Sequence, residues 1–288
     1  MVALPRSKWD AQPPQLATTD KITVRNLQAT VNAGVDVWGR VKSQRALISV
    51  TLSLAKPFDS AAKTDVVDNS TVHYGKLSKD IQACIQDFAA NSDADKRKTT
   101  SDLMAAIHEQ IKRKTVPDNK ILRAIEVDIF YPKGSMLGDG AGYSLGHSLS
   151  SSDIYTQLYL RNVRVPCLIG VNSNERLQKQ PVVINLWIEP VSVARSEDYP
   201  KLESAVVEVR QGFIMEGYTS ELTRVQVVSD SSFETLESLT TTIVQRLGPM
   251  FTEKASEDVN EYIRLRIEKP HAVPAADAPS IEIFRPLR

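Results

Sequence analysis

Two cysteines and four histidines are the whole supply of soft metal ligands in 288 residues. Cys84 and Cys167 lie among apolar neighbours, which predicts buried, reduced thiols in an intracellular, cytoplasmic protein. Two cysteines cannot build a zinc knuckle, and His73, His108, His147 and His271 show no metal-ligand spacing, so no metal is expected. Net charge is missing too. The 35 basic residues offset 35 acidic ones without forming a basic stripe, which argues against nucleic acid as a partner. No apolar run approaches the roughly 20 residues that span a bilayer, so no membrane is expected. The first twenty residues carry Pro5, Pro13 and Pro14 and no apolar core, so they read as a loosely packed or disordered arm rather than a signal peptide. A Gly-rich phosphate loop and a nucleophile elbow are both lacking.

What the chain does contain is a second version of itself. Arg25-Asn26-Leu27 recurs as Arg161-Asn162-Val163, and the same offset of 136 residues carries Gly34-Val35 onto Gly170-Val171 and Gln44 onto Gln180. Ile48, Val50 and Leu52 fall on Ile184, Leu186 and Ile188. The copies differ in their charged residues. Glu175 stands opposite Gly39, and Glu237 opposite Ser101; a two-residue indel sets Lys269-Pro270 opposite Tyr131-Pro132. One copy carries polar chemistry that the other lacks.

Each copy reads as two strands, two helices and two strands. Ile48, Val50, Leu52 and Leu54 alternate with polar residues at the period of a half-buried strand, and Val182–Ile188 repeats the pattern. Leu77, Ile81, Cys84, Ile85 and Phe88 form a helical stripe; so do Leu103, Ile107 and Ile111, matched by Leu239, Ile243 and Leu247. Strands return at Val127–Tyr131, Ile263–Ile267 and Ile281–Phe284. Five of the twelve glycines lie between Gly134 and Gly146, ahead of a serine cluster, and mark the junction between copies; part of it, around Tyr143–His147, is open to being a last strand. The expected organisation is an arm over residues 1–20 and two duplicated α+β domains, 21–148 and 149–288. Each would be an antiparallel four-stranded sheet with two helices on one face. Such sheets leave edges exposed, which a closed ring of domains would hide.

Several polar residues interrupt the apolar patterns. Glu237, in Phe233-Glu234-Thr235-Leu236-Glu237-Ser238-Leu239, stands near a helix start. There it serves either as a helix cap or as a carboxylate that, beside backbone donors, binds an amino-pyrimidine-like ring. Glu175 lies in a polar loop, Lys269 ends a strand before a proline, and Tyr74 sits in Thr71-Val72-His73-Tyr74-Gly75; each has an ordinary surface reading as well.

Taken in order, these segments resemble the dihydroneopterin aldolase family. The resemblance rests on a Glu in the loop after the first strand, Phe-x-x-x-Glu-x-Leu opening the second helix and Lys-Pro after the third strand. It also rests on Thr71-Val72-His73-Tyr74-Gly75, preceded by Thr64-Asp65-Val66-Val67-Asp68. It covers nearly the whole chain from about Lys21, as two family domains in tandem, and looks like the aldolase part of fungal folate-synthesis proteins. It implies tunnelling-fold domains assembled in rings, with sites between adjacent domains. It also implies retro-aldol cleavage of 7,8-dihydroneopterin with no cofactor, because the substrate's own C6=N5 imine takes the electrons. Carried over, copy two supplies Glu175 and Lys269 as catalytic residues and Glu237 with Leu236 for the pterin. Copy one supplies the catalytic Tyr74 with Thr71 and Val72 for binding. Tyr199, before Pro200, matches the tyrosine segment only loosely. The implied assembly is a homo-oligomer, a tetramer of tandem chains. An epimerase, or an inert pterin-binding scaffold, remains an alternative.

Overall fold

The repeated Arg-Asn pair is a β-bulge. Asn26 and Asn162 both adopt left-handed backbone, with φ of 54° and 50°, and the ladder shifts register at each. Asparagine tolerates that conformation better than most residues. Gln44 and Gln180 also recur for a reason. Each side-chain amide donates to two backbone carbonyls in the loop after the bulged strand: Ala33 and Val35 in one copy, Ile169 and Glu175 in the other.

A computed structural model describes residues 2–11, 20–90, 97–115, 121–151, 153–207, 232–252 and 261–287. Near the N-terminus are strand β1 (Val2–Leu4) and the short helix α1 (Arg6–Asp10). Then come β2 (Lys21–Val31), β3 (Gln44–Leu54), α2 (Asp59–Thr64), α3 (Tyr74–Ala90), α4 (Thr100–Gln110), β4 (Leu122–Tyr131) and β5 (Gly140–Ser148). Copy two supplies β6 (Asp153–Ile169), β7 (Gln180–Glu189), α5 (Tyr199–Val207), β8 (Ser232–Phe233), α6 (Leu236–Thr252), β9 (Tyr262–Glu268) and β10 (Ser280–Pro286).

The architecture is α+β around one large antiparallel sheet, ordered β10-β9-β7-β6-β5-β4-β3-β2. The two four-stranded halves are therefore continuous, because β5 pairs with β6 from Gly140↔Arg161 to His147↔Ile154. On one face Ile48, Val50, Leu52, Ile184, Leu186 and Ile188 are fully buried, in one core with Leu77 and Ile81 of α3, Leu103 of α4, Leu202 of α5 and Ile243 of α6. Those helical positions fall at the expected spacing.

The glycine-rich stretch expected to mark a junction includes a central strand. A Cβ on Gly142 would stand 2.3 Å from the Tyr159 ring of β6, so the glycine lets that aromatic lie across β5. The arm also departs from its reading as loose chain. β1 pairs in parallel with Asp153–Tyr155, and Trp9 of α1 is buried against Tyr155. Glu189, itself buried, accepts from the Arg6 backbone N–H and the Gln157 amide, both at 2.9 Å. Pro13 and Pro14 lie outside the described residues.

Candidate functional site

The end of β6 turns at Gly170, whose φ is 150°. A Cβ there would stand 2.5 Å from Cβ of Glu175, so only glycine lets the following loop fold back this closely. The loop holds Glu175 by its own backbone: the Asn172 N–H donates to Oε2 at 3.1 Å, and the Glu175 N–H donates to the Asn172 carbonyl at 3.1 Å. The other oxygen, Oε1, accepts from the ammonium of Lys269. Lys269 follows β9, and its backbone N–H donates to the Pro279 carbonyl across the turn to β10. Despite its place at a strand end, Lys269 is 6% exposed, which removes the ordinary surface reading. The Lys269 ammonium and the Asn172 N–H hold the Glu175 carboxyl below the usual carboxylate range. Glu175 and Lys269 thus form an ion pair in which the lysine side chain is buried and the carboxylate half-buried.

The start of α6 is moored to the same loop. β8 pairs in parallel with Leu168–Ile169, the Gly170 N–H donates to the Phe233 carbonyl at 3.2 Å, and the Arg176 guanidinium reaches the Ser232 hydroxyl. Glu237 is exposed in the first turn of this helix, one residue after the half-buried Leu236. The capping reading belongs to a different residue. Thr235 accepts from the Ser238 N–H at 3.2 Å, so the cap does not use the Glu237 carboxylate.

Thr71, Val72 and Tyr74 lie elsewhere. Tyr74 opens α3 and is 69% exposed, while Val72 is buried and Thr71 half-buried. His73 caps that helix, its Nδ1 accepting from the Gly75 and Lys76 N–H groups at 3.0 and 3.3 Å. Helix α3 packs beside β2 at one end of the sheet, whereas Lys269 follows β9 near the other. Six strand spacings separate β2 from β9, roughly 29 Å along the sheet at the usual 4.8 Å each. Within one chain, then, Glu175 and Lys269 meet, Glu237 is brought to their loop, and the tyrosine segment is remote.

The corresponding place in copy one is occupied. Tyr131, opposite Lys269 in the repeat, is fully buried and hydrogen-bonded to the Thr100 hydroxyl at 2.9 Å. The ring of Tyr199 stacks on it with centroids 5.8 Å apart, and the Val35 N–H donates to the Tyr199 hydroxyl at 2.8 Å. The Glu197 carboxylate accepts from the Thr100 N–H at 3.2 Å and from Arg97. Burial pushes both phenols well above their ordinary range. The loosely matching Tyr199 therefore packs, within its own chain, against the residue that stands opposite Lys269 in the repeat. Its sequence cannot reveal this, because Tyr131 and Tyr199 lie in different copies. Charges around the adjoining cleft are paired as well: Lys201 with Asp198 at 2.8 Å and Arg195 with Glu261 at 3.6 Å.

Among the described residues, no group of three His, Cys, Asp or Glu is placed to hold a metal. Cys84 and Cys167 are buried reduced thiols. No helix among the described residues is long and apolar enough to cross a membrane.

Solved structures that share the fold over most of the chain include urate oxidases. That of Bacillus sp. TB-90 covers 93% of this chain and 99% of its own at a TM-score of 0.59 and 10% identity, which speaks to fold alone. Escherichia coli dihydroneopterin aldolase, solved in complex with neopterin, aligns over 45% of this chain and 97% of its own at 18% identity and a TM-score of 0.33. In sequence the chain is similar to folic acid synthesis protein fol1 of Pneumocystis carinii, 22% identical over 92% of this chain. The similarity in sequence to the fungal folate-synthesis proteins agrees with the resemblance drawn from the residues. The chain spans about a third of the length of the curated relatives it matches, 32% and 31%. No protein-family model matches it.

Proposed function

We propose that this chain is an aldehyde-lyase of the dihydroneopterin aldolase type, acting on a pterin in folate biosynthesis. The observation that carries this reading is the ion pair of the buried Lys269 with Glu175, on a loop tied to the helix start that carries Glu237. All three polar groups are absent from the other copy, where aromatic rings fill the space.

In the proposed reaction the Glu237 carboxylate accepts hydrogen bonds from the pterin amino group and a ring N–H. Lys269, held by its contact with Glu175, gives a proton to N5, directly or through a water. The 2′ hydroxyl passes its proton to a water on the Tyr74 hydroxyl, the C1′–C2′ bond breaks, and its electron pair moves through C6 onto N5. Glycolaldehyde leaves and an enamine remains. That proton is delivered to C1′ by way of Tyr74 while N5 returns its own proton to Lys269, which restores the C6=N5 imine and yields 6-hydroxymethyl-7,8-dihydropterin. Glu175 aligns the water or the tail hydroxyls, while Thr71 and Val72 line the pterin's other side. Positioned acid–base groups contribute roughly 10²–10⁴-fold each.

Because Tyr74 is remote from Lys269 within one chain, each site is composite, with its tyrosine segment from another copy. A homo-oligomer follows from that reading, a tetramer of tandem chains being the proposed form. The test is a steady-state assay of glycolaldehyde release from 7,8-dihydroneopterin, with chromatography of the pterin product to separate cleavage from 2′ epimerisation. Release that depends on Lys269 supports the reading; a wild-type chain that releases none, in its assembled form, refutes it.

A further inference from the structure

We infer that Arg176 is a positioning residue for the pterin anchor: it ties the Glu175 loop to the chain just ahead of α6 and so fixes where Glu237 stands relative to Lys269. The inference rests on the proposed function for the role of Glu237, while the tie itself is tested without any pterin.

One guanidinium joins two segments that are far apart in sequence. Arg176 Nη1 donates to the Gly170 carbonyl at 3.2 Å, and Nη2 donates to the Ser232 hydroxyl, 56 residues further on. Gly170 is where the loop leaves β6, and Ser232 opens β8. Glu175 is the chain neighbour of this arginine, and Glu237 lies a short way beyond Ser232. The main chain adds little here. The parallel ladder of β8 with β6 covers two residue pairs, Leu168↔Ser232 and Ile169↔Phe233, and the Gly170 N–H donates to the Phe233 carbonyl at 3.2 Å. A planar guanidinium with donors in a fixed fork holds both acceptors at once, which an ammonium on a flexible stem does less well.

The other copy uses the same arginine differently. At the offset of 136 residues Arg40 stands in the place of Arg176, and Asp36 in the place of Asn172. Asp36 keeps Arg40 inside its own loop: Oδ2 accepts from Arg40 Nε at 2.8 Å, and Oδ1 accepts from the Trp38 and Arg40 backbone N–H groups at 3.0 Å each. The Arg40 guanidinium lies over the Trp38 ring, 4.7 Å from its centroid. Asn172 is a neutral amide and offers no such charge, and Arg176 reaches out of its loop instead. The reaching arginine belongs to the copy that has Glu237; the self-bound one belongs to the copy with Ser101 in that place.

Two parts of the site are built without this arginine. The Glu175–Lys269 ion pair is held by the Asn172 N–H and the end of β9, and the first turn of α6 is capped by Thr235. Arg176 sets the distance between them. A carboxylate that meets a ring amino group and a ring N–H while N5 of the same ring faces Lys269 depends on that distance. A shift of about 1 Å takes much of the strength from bonds aligned in this way.

The experiment compares Arg176→Gln, Ser232→Ala and the double variant in the full chain. Hydrogen exchange of the free protein, read by mass spectrometry over 168–170 and 233–239, should quicken in all three; unchanged exchange overturns the tie whatever the ligand. Calorimetric titration with 6-hydroxymethylpterin should show about tenfold weaker binding in each single variant, the size of one lost hydrogen bond to a charged group. The double variant should lose no more, because both changes remove one contact. In steady state KM should rise by a similar factor with kcat nearly unchanged, since the ion pair is left in place. Arg176→Lys keeps the charge without the fork and should recover part of the affinity. Wild-type affinity in Ser232→Ala beside a loss in Arg176→Gln would mean that the arginine acts on the ligand directly, and would overturn the positioning role. Additive losses, or a fall in kcat without a rise in KM, would overturn it too. If the wild type binds no pterin while exchange still quickens in the variants, the proposed function fails and the tie stands.

Discussion

Tyr199 stacks on Tyr131 at a centroid distance of 5.8 Å, with both side chains fully buried. These two rings fill the place where copy two keeps Lys269, and they tie the α5 start of one copy to β4 of the other. The junction between the copies is therefore part of the core.

Tyr131→Ala is expected to cost roughly 3–5 kcal/mol, the range for deleting a large buried aromatic. Tyr199→Phe keeps the ring but leaves the buried Val35 N–H without its 2.8 Å partner, a loss of about 1–3 kcal/mol. Urea unfolding measures both. Below their transitions, both variants should turn over at close to the wild-type rate. A folded Tyr199→Phe protein without activity would place chemistry at this junction instead.

Glu237→Ala should weaken binding of 6-hydroxymethylpterin by roughly 10–150-fold, corresponding to one charge-assisted hydrogen bond of about 1.5–3 kcal/mol. Stability should hardly change, because Thr235 rather than Glu237 accepts from the helix N–H. Calorimetry gives the affinity and a thermal melt gives the control. Unchanged affinity would leave Glu237 as a surface charge.

Acid stability should reflect His108. Burial, then Lys112 and His147, lower its pKa from 6.5 to about 4, and its Nε2 lies 3.2 Å from His147 Nδ1. Between those two values the unfolded chain holds more protons on this group than the folded one. Stability should therefore rise with pH across that window, be complete above about 6.5 and fall away as the pH drops toward 4. His108→Gln should flatten this part of the curve. An equal slope in wild type and variant would remove His108 as its source.

Much of the fold was legible because strand and helix periods are local. Ile48, Val50 and Leu52, and the stripe from Leu77 to Ile85, fall where their spacing puts them. The repeat was legible too, since a left-handed Asn in a bulge and a Gln that holds a loop leave the same letters twice. Three features were hidden by long-range geometry. Gly142 reads as linker until Tyr159 lies over it, and Trp9 reads as loose arm until Tyr155 and Ala124 cover it. Lys269 reads as exposed until Glu175 folds back to meet it. Residue types therefore pointed to the candidate residues and to the copy that carries each, but only the fold shows Tyr74 and Lys269 far apart within one chain.

The most direct test of a site shared between chains is complementation of two inactive proteins. Lys269→Ala and Tyr74→Phe should each abolish most glycolaldehyde release while leaving the assembly intact. The two variants are then mixed, dissociated and reassembled. A mixed interface pairs the intact Lys269 of one chain with the intact Tyr74 of the other, so part of the activity should return. If both residues of a site came from the same chain, every site would lack one of them, and a mixture as inactive as its components would contradict the shared site.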